Sequence, residues 1–522
     1  MFPPHFAAMF RRLLQLRAAD VQLYRLCDEA AGPVILLMVV FSPWAFGTTE
    51  TWAVWIMNYA AYLLGALLLA KLFIRKIKKF PAPRWDAGRP ADKKSATDSA
   101  TTVLAWLTGA LLLFCLTSAL NAAANYEPEK HFFTYRNHIQ WLPHSFDANR
   151  TWFYFWTYLG HAAAFWSIRD WLLGRTEAEA KSMRQPNPPA PPPIPARLRQ
   201  LLWMLAISGT LLGIEGIVQR AAGSTRLLFL VHPVVNPEGD TQFGPYAYRS
   251  NAAQYFNLLW PVCLGAWWLL RRENSRKLFF FPAAAALMAA CPIISISRAG
   301  ALVAGAMLAL TSILFLGTEI RGFRRRGAGS RRQWRNIILI VFFLTTALGL
   351  GWYFGWSKLS PRLEQFGEGL ANREQMYADA RPMAADYPLF GTGPGTFGTV
   401  FQLYRISNAT YWPEQLHNDW LETFITFGGT GFLLALAALG CVVAAAWRAP
   451  RRFAVMAGMA LAGCLVQARF DFPLQVHSVL FLFLLIGAML LALGAKARKY
   501  KTRVPKPPAA HSSDDGFAPG QP

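Results

Sequence analysis

Between residues 31 and 494 the chain returns repeatedly to uncharged apolar runs of about 20 residues, the length needed to cross ~30 Å of hydrocarbon. They lie near 31–46, 51–74, 101–121, 151–172, 199–219, 251–270, 278–296, 299–317, 336–355, 419–447, 453–470 and 473–494. That makes about twelve by length and hydropathy. Lipid offers no partner to a backbone amide, so each crossing segment must close its own hydrogen bonds as a helix. The expected fold is therefore an all-α polytopic membrane protein of about twelve transmembrane helices.

Charge supplies the orientation. The chain carries 52 Lys and Arg against 29 Asp and Glu, a formal net charge of +23. A nucleic-acid surface would gather such charge on one folded face. Here the basic residues cluster instead at 11–17, 75–79, 92–94, 197–199, 271–277, 321–335, 448–452 and 495–503. Every cluster falls in a terminus or an even-numbered connection, and the positive-inside rule makes that side cytoplasmic. Both termini are then expected in the cytoplasm, with a large periplasmic loop, 356–418, between helices 9 and 10. A loop that long is usually functional.

The rest of the chain is quieter. Residues 1–30 form a charged cytoplasmic segment without the clean apolar core of a cleavable signal peptide. No cysteine falls in an outward loop, so neither a disulfide framework nor a zinc CxxC is expected. NPPAPPPIP (187–195) reads as a stiff spacer and 495–522 as a disordered cytoplasmic tail. The organisation is N-terminal helices over 31–240, a core over 241–447 and C-terminal helices over 448–494.

Four outward segments can carry chemistry: 122–150, 220–250, SISRAG at 295–300, and 356–418, with helical character near 372–388. Arg298 sits between two apolar runs joined by a few residues, where a charge needs a partner. It either snorkels to headgroups or offers bidentate donors to phosphate. Arg249, in GPYAYRSNAAQYF, stands likewise at an outer helix mouth, and two such arginines can serve one diphosphate. GTGPG (391–395) lacks the strand and helix of a nucleotide fingerprint and reads as a turn.

In EQLHNDWLETF, Asp419 with Glu422 three residues on fits a capping box, the carboxylate standing in for Ser or Thr. His417 then precedes the cap on the water side, free to act as a base or to hydrogen-bond locally. There is no HExxH and no second histidine at ligand spacing, so no metal and no cofactor is expected. His131, His138 and His144 are loop residues without helical spacing, and Arg469, Asp471 and His477 form a weaker outward group.

The ordered series GPYAYRSNAAQYFNLLWP, SISRAGALVAGAML, RPMAADYPLFGTGPGTF and LHNDWLETFITFGGTGFL, over about 240–435, resembles the O-antigen ligase and polymerase superfamily. WLPHSFDANRTW (141–152) also looks like a family element. The resemblance implies a metal-independent, inverting glycosyltransferase of the bacterial inner membrane. Such an enzyme moves a glycan from undecaprenyl diphosphate to an acceptor hydroxyl on the periplasmic face. It also implies His417 as the catalytic residue, with Arg249, Arg298 and Arg373 binding the donor. One departure is Ser250, which intervenes between Arg249 and Asn251 where members commonly carry the asparagine directly.

Partners implied are the lipid-linked donor, lipid A–core or another glycan acceptor, and membrane lipids, with no nucleic acid. Alternatives within the family are a repeat-unit polymerase or a protein O-oligosaccharyltransferase. A transporter is the alternative from another class, disfavoured because the polar groups gather at one face rather than midway.

Overall fold

The computed structural model describes residues 15–85, 96–183, 185, 194–273, 275–326, 331–406 and 412–497. Most of the spacer 187–195, most of the tail 495–522 and the basic cluster 92–94 lie outside these residues, as do parts of the clusters at 11–17 and 321–335.

Long helices occupy each predicted apolar segment: α1 (Ala18–Trp44), α2 (Thr51–Lys76), α3 (Ala96–Leu120), α4 (Ala148–Leu173), α5 (Ala196–Ala221), α6 (Arg249–Leu270), α7 (Phe280–Ile294), α8 (Arg298–Arg326) and α9 (Arg331–Gly351). The long connection 356–418 adds α10 (Ser357–Glu364) and α11 (Phe366–Asp386), and the chain closes with α12 (Asp419–Ala446), α13 (Arg451–Gln467) and α14 (His477–Ala497). Among the described residues, 9 helical segments are long and apolar enough to cross a membrane. That is fewer than the twelve expected: α4, α6 and α13 fall outside the set. α13 has only 17 residues. α6 carries Asn251, Gln254 and Asn257 within its span, and α4 an Asp, a His and two Arg.

The reason α6 can be polar is its position. Every residue from Ser250 to Trp268 is buried, and the helix packs chiefly against α7 and α13. It is the axis of the core, wrapped by protein. Asn257 uses that setting, donating to the Gly300 carbonyl at the start of α8 at 3.0 Å. Gly300 is required there, because a Cβ would stand 2.4 Å from that of Ala253.

Among the described residues, sheet is confined to one hairpin, Ala124–Glu127 paired antiparallel with Phe132–Tyr135, in the connection between α3 and α4 where no strand was expected. The expected helix near 372–388 is α11, with the 376, 377, 380 and 383 positions buried against Phe397, Phe401, Leu416 and Ile425. This i, i+4, i+7 stripe lays the helix over the start of α12.

GTGPG is a turn, with Gly391, Gly393 and Gly395 at φ 71°, 108° and 78°. It also has a packing role. α12 breaks at Gly428 (φ 60°, ψ −174°), and the freed carbonyls of Ile425 and Thr426 accept from Thr392 and Gly393 at 2.9 and 3.0 Å. The turn thus replaces helix hydrogen bonds with loop ones and holds the outer half of α12 in place.

Candidate active site

The outer half of α12 begins at the residue of greatest interest. His417 has φ 58°, a left-handed conformation that a side-chain-bearing residue adopts only when its surroundings enforce it. Three contacts do so. The Tyr377 hydroxyl donates to the His417 carbonyl at 2.8 Å. Asn418 caps α12, its side chain accepting from Leu421 N–H at 3.3 Å. The Glu422 carboxylate accepts from Leu416 N–H at 2.8 Å.

This corrects the expected capping box. Asn418, not Asp419, is the cap, because the reversal at His417 turns the Leu416 amide toward Glu422. Asp419 instead accepts from Leu474 N–H at 2.7 Å, tying α12 to the connection before α14.

That connection supplies the partner of the histidine. His417 Nδ1 lies 3.1 Å from Asp471 Oδ1, with side-chain exposures of 28% and 1%. The same carboxylate oxygen accepts from Phe472 N–H at 3.2 Å. The imidazole is walled by Phe472 and Tyr248, at ring distances of 4.8 and 6.1 Å. Tyr248 and Phe472 stack with their planes 6° apart. Burial and the Asp471 carboxylate push the Tyr248 phenol up, keeping it protonated.

On the other side of Asp471 opens a cavity of about 90 Å³, lined by Arg249, Arg298, Arg362 and Arg373 together with Tyr248 and Asp471 among others. All three arginines singled out in the sequence therefore meet, from three separate elements. Arg249 opens α6 and donates to the Asp240 carbonyl. Arg298 opens α8 and donates to the Gln365 carbonyl at 2.9 Å. Arg373 lies one turn before Tyr377 on the inward stripe of α11 and donates to the Phe470 carbonyl. Ser250 and Ser297, bonded at 3.0 Å, fasten the first two helix mouths together. Asp240 is itself fixed, its carboxylate accepting from Lys358 at 2.7 Å and Arg220 at 3.0 Å. The Lys358 ammonium beside it holds the Asp240 carboxyl below the ordinary range.

The remaining sequence candidates disperse. Arg469 sits over the Tyr377 ring at 5.5 Å. His477 packs on His161 at 4.3 Å. His131 pairs with Tyr126 at 3.0 Å, while the His138 and His144 rings lie 5.2 Å apart. A second cavity of about 340 Å³, almost wholly apolar, runs between α3, α4, α12 and α14. Asp419, Trp420, Leu474 and Gln475 bound it beside the His417 segment.

Sequence reasoning missed Arg362 and gave Asp471 no role. Arg362 belongs to SPRLEQ, where Leu359 and Leu363 stand three residues before and one after it. That places an arginine beside an apolar stripe of a short helix, a signal legible in principle.

Apolar helices and the gathered polar groups at one end of the bundle define a membrane protein. Residues 283–436 match the family described as O-antigen ligase. The match takes in Arg298, Arg362, Arg373 and His417, while Arg249 precedes it and Asp471 follows it. No curated protein matches the sequence.

Proposed function

We propose that the chain is an inner-membrane glycosyltransferase of O-antigen ligase type. In this reading it crosses the membrane twelve times, keeps both termini in the cytoplasm, and works on the periplasmic face through its 241–447 core. The donor is a glycan on undecaprenyl diphosphate, and the acceptor is a hydroxyl, in the first place that of lipid A–core.

The observation that carries the proposal is the juxtaposition of a carboxylate-held imidazole with a multi-arginine cavity, Asp471 belonging to both. With the proton on His417 Nδ1 donated to Asp471, Nε2 keeps the lone pair that a general base requires. His417 takes the proton of the acceptor hydroxyl as its oxygen forms a bond to the anomeric carbon. The bond from that carbon to phosphate oxygen breaks, and its electron pair leaves with the diphosphate. Attack opposite the leaving group in one displacement inverts the anomeric centre. Arg249, Arg298 and Arg373 stabilise the charge gathering on the leaving group, the electrostatic task a metal ion performs elsewhere. No nucleotide is needed, because the diphosphate already activates the sugar.

The apolar cavity beside the His417 segment supports reactants with hydrocarbon tails. A polymerase or a protein O-oligosaccharyltransferase would use the same donor chemistry and differ in acceptor alone. The test is transfer by the purified chain from a defined lipid-linked donor, with lipid A–core, a second lipid-linked repeat and an acceptor protein supplied in turn. Transfer to lipid A–core is expected, transfer only to another acceptor would reassign the reaction within the family, and transfer to none would refute the proposal.

A further inference from the structure

Between α5 and α6 the chain runs LLFLVHPVV (227–235), an apolar stretch whose one ionisable side chain is His232. Leu227 is buried, but Leu230, Val234 and Val235 are 73%, 97% and 70% exposed, and Phe229 and Val231 are exposed beside them. Aliphatic side chains held this far out are unfavourable in water, and a contiguous patch of them marks a surface that meets something apolar.

The loop that carries the patch is pinned at both ends to the last turns of α5. Gln219 donates to the Arg226 carbonyl at 3.0 Å, and Arg220 donates to the carbonyls of Gly239 and Gln242 at 3.1 and 2.7 Å. Thr241 and Gln242 each donate to the Asn236 carbonyl at 3.0 Å. What lies between is a compact loop with close ends and an apolar tip. Its backbone is largely closed on itself: Leu227 and Val231 exchange amide bonds at 2.8 and 3.2 Å, and Leu230 N–H reaches the Leu227 carbonyl at 2.9 Å. Pro233 brings no amide at all. Leu228 and Phe229 take left-handed φ of 52° and 61° inside this bridge, which turns the tip outward.

Two observations place lipid next to the tip. α5 is long and apolar enough to cross a membrane, and Ile207, Leu211, Ile214 and Val218 are exposed along it. Their spacing of four, three and four puts them on one face, a hydrocarbon-facing stripe that ends at the turn pinning the loop. On α9 and the π-helical turn after it, exposed Ile338, Val341 and Leu348 give way to exposed Trp352 and Tyr353, the residue types that gather at a membrane–water boundary. Lys358, about 8 Å of helix rise beyond Tyr353, pairs with Asp240 at the returning root of the loop. A tip four residues from its root reaches ~13 Å, enough to return to that boundary.

We propose that residues 229–235 form a membrane-dipping loop, resting their apolar side chains among the headgroups and upper acyl chains of the leaflet at the arginine-cavity end of the bundle. The partner is the lipid surface itself, and the contact stands whether or not the chain transfers glycans. Self-closed amides and the missing donor at Pro233 suit a backbone at the edge of hydrocarbon, and the His232 side chain limits it to that depth. Arg249 donates to the Asp240 carbonyl, so the same loop ties the mouth of α6 to the lipid boundary.

The experiment is depth-dependent quenching on the full chain in nanodiscs of phosphatidylethanolamine and phosphatidylglycerol. Cys441→Ser leaves five native cysteines, all buried. Into that background go Leu230→Cys, Val234→Cys or, as the water-side control, Glu238→Cys, each carrying an NBD fluorophore. At Leu230 and Val234 the emission should shift to the blue, resist iodide and be quenched by lipids with a doxyl group high on the acyl chain. At Glu238 the order should reverse. Adding Leu230→Asp to the Val234→Cys chain should draw the tip into water and abolish its lipid quenching. A tip quenched by iodide as fully as Glu238 overturns the inference. Protection from iodide without doxyl quenching overturns it too, since protein and not lipid then covers the loop. A Leu230→Asp chain still quenched by doxyl lipid refutes the claim that the aliphatic tip drives the contact.

Discussion

Gly300→Ala adds one methyl group at the place where the two arginine-bearing helix mouths touch. The new Cβ would stand 2.4 Å from that of Ala253, against 3.4 Å at the near edge of ordinary contact, so α6 and α8 must part by roughly 1 Å. Two hydrogen bonds cross that seam and stretch with it, Ser250 to Ser297 at 3.0 Å and Asn257 to the Gly300 carbonyl at 3.0 Å. Overpacking of this kind costs about 1–3 kcal/mol. Replacing a helical glycine by alanine returns about 0.5–1 kcal/mol, leaving a net loss of about 0–2.5 kcal/mol.

The functional loss should exceed the structural one. Arg249 and Arg298 sit at the two mouths being separated, and a 1 Å displacement of a reacting geometry can cost about 10²-fold. Ala253→Gly removes the opposing methyl and should restore turnover in the double variant, with stability recovered only in part because the new helical glycine itself costs about 0.5–1 kcal/mol. Apparent melting temperature in detergent and single-turnover transfer from lipid-linked donor, measured for both single variants and the pair, test this. A Gly300→Ala chain with parental turnover refutes the claim that this seam sets the arginine spacing. So does a double variant no better than Gly300→Ala.

The remaining expectations concern the site itself. His417→Ala should slow transfer by about 10²–10⁴-fold in single turnover while leaving donor affinity nearly unchanged, because a general base acts on the acceptor proton. Arg298→Ala should weaken donor binding and turnover together, and Arg298→Lys should recover only part; a lysine variant equal to parent would reduce Arg298 to a membrane anchor. Asp471→Asn preserves an acceptor for His417 Nδ1 but removes its charge. Transfer should fall about tenfold at unchanged donor affinity, and a matching fall in donor affinity would refute the claim that Asp471 acts through His417.

What the sequence disclosed follows the physics that each feature answers to. Helix positions were legible because lipid imposes a length and excludes charge, and every expected segment is helical. What surrounds each helix was not. α6 reads as one more apolar run, yet it is the buried axis of the bundle, and its Asn251, Gln254 and Asn257 are tolerated because protein, not lipid, encloses them. The arginines were legible singly, since charge at a helix mouth is costly, and their convergence depended on helix crossings that no local pattern encodes. Arg469, Asp471 and His477 were grouped by nearness in the chain. The connection from α13 into α14 points the three side chains apart, and they reach Tyr377, His417 and His161 respectively.

The placement of His417 shows why local rules failed where the chemistry is densest. A left-handed φ costs about 1–2 kcal/mol for a residue with a side chain, so sequence propensity argues against it. The Tyr377, Asn418 and Glu422 hydrogen bonds each contribute about 0.5–1.5 kcal/mol, more where the carboxylate is charged, and together they offset that cost. Tyr377 comes from α11, and Asp471 from the connection before α14. The conformation of the histidine is thus decided by segments 40 and 54 residues away in sequence. The capping box was misread by one residue for the same reason. A regular helix start would use Asp419, whereas a chain reversed at His417 frees Asn418 to cap and Asp419 to anchor Leu474. Strain held from several sides in this way fixes the imidazole against Asp471, the one carboxylate that also lines the arginine cavity.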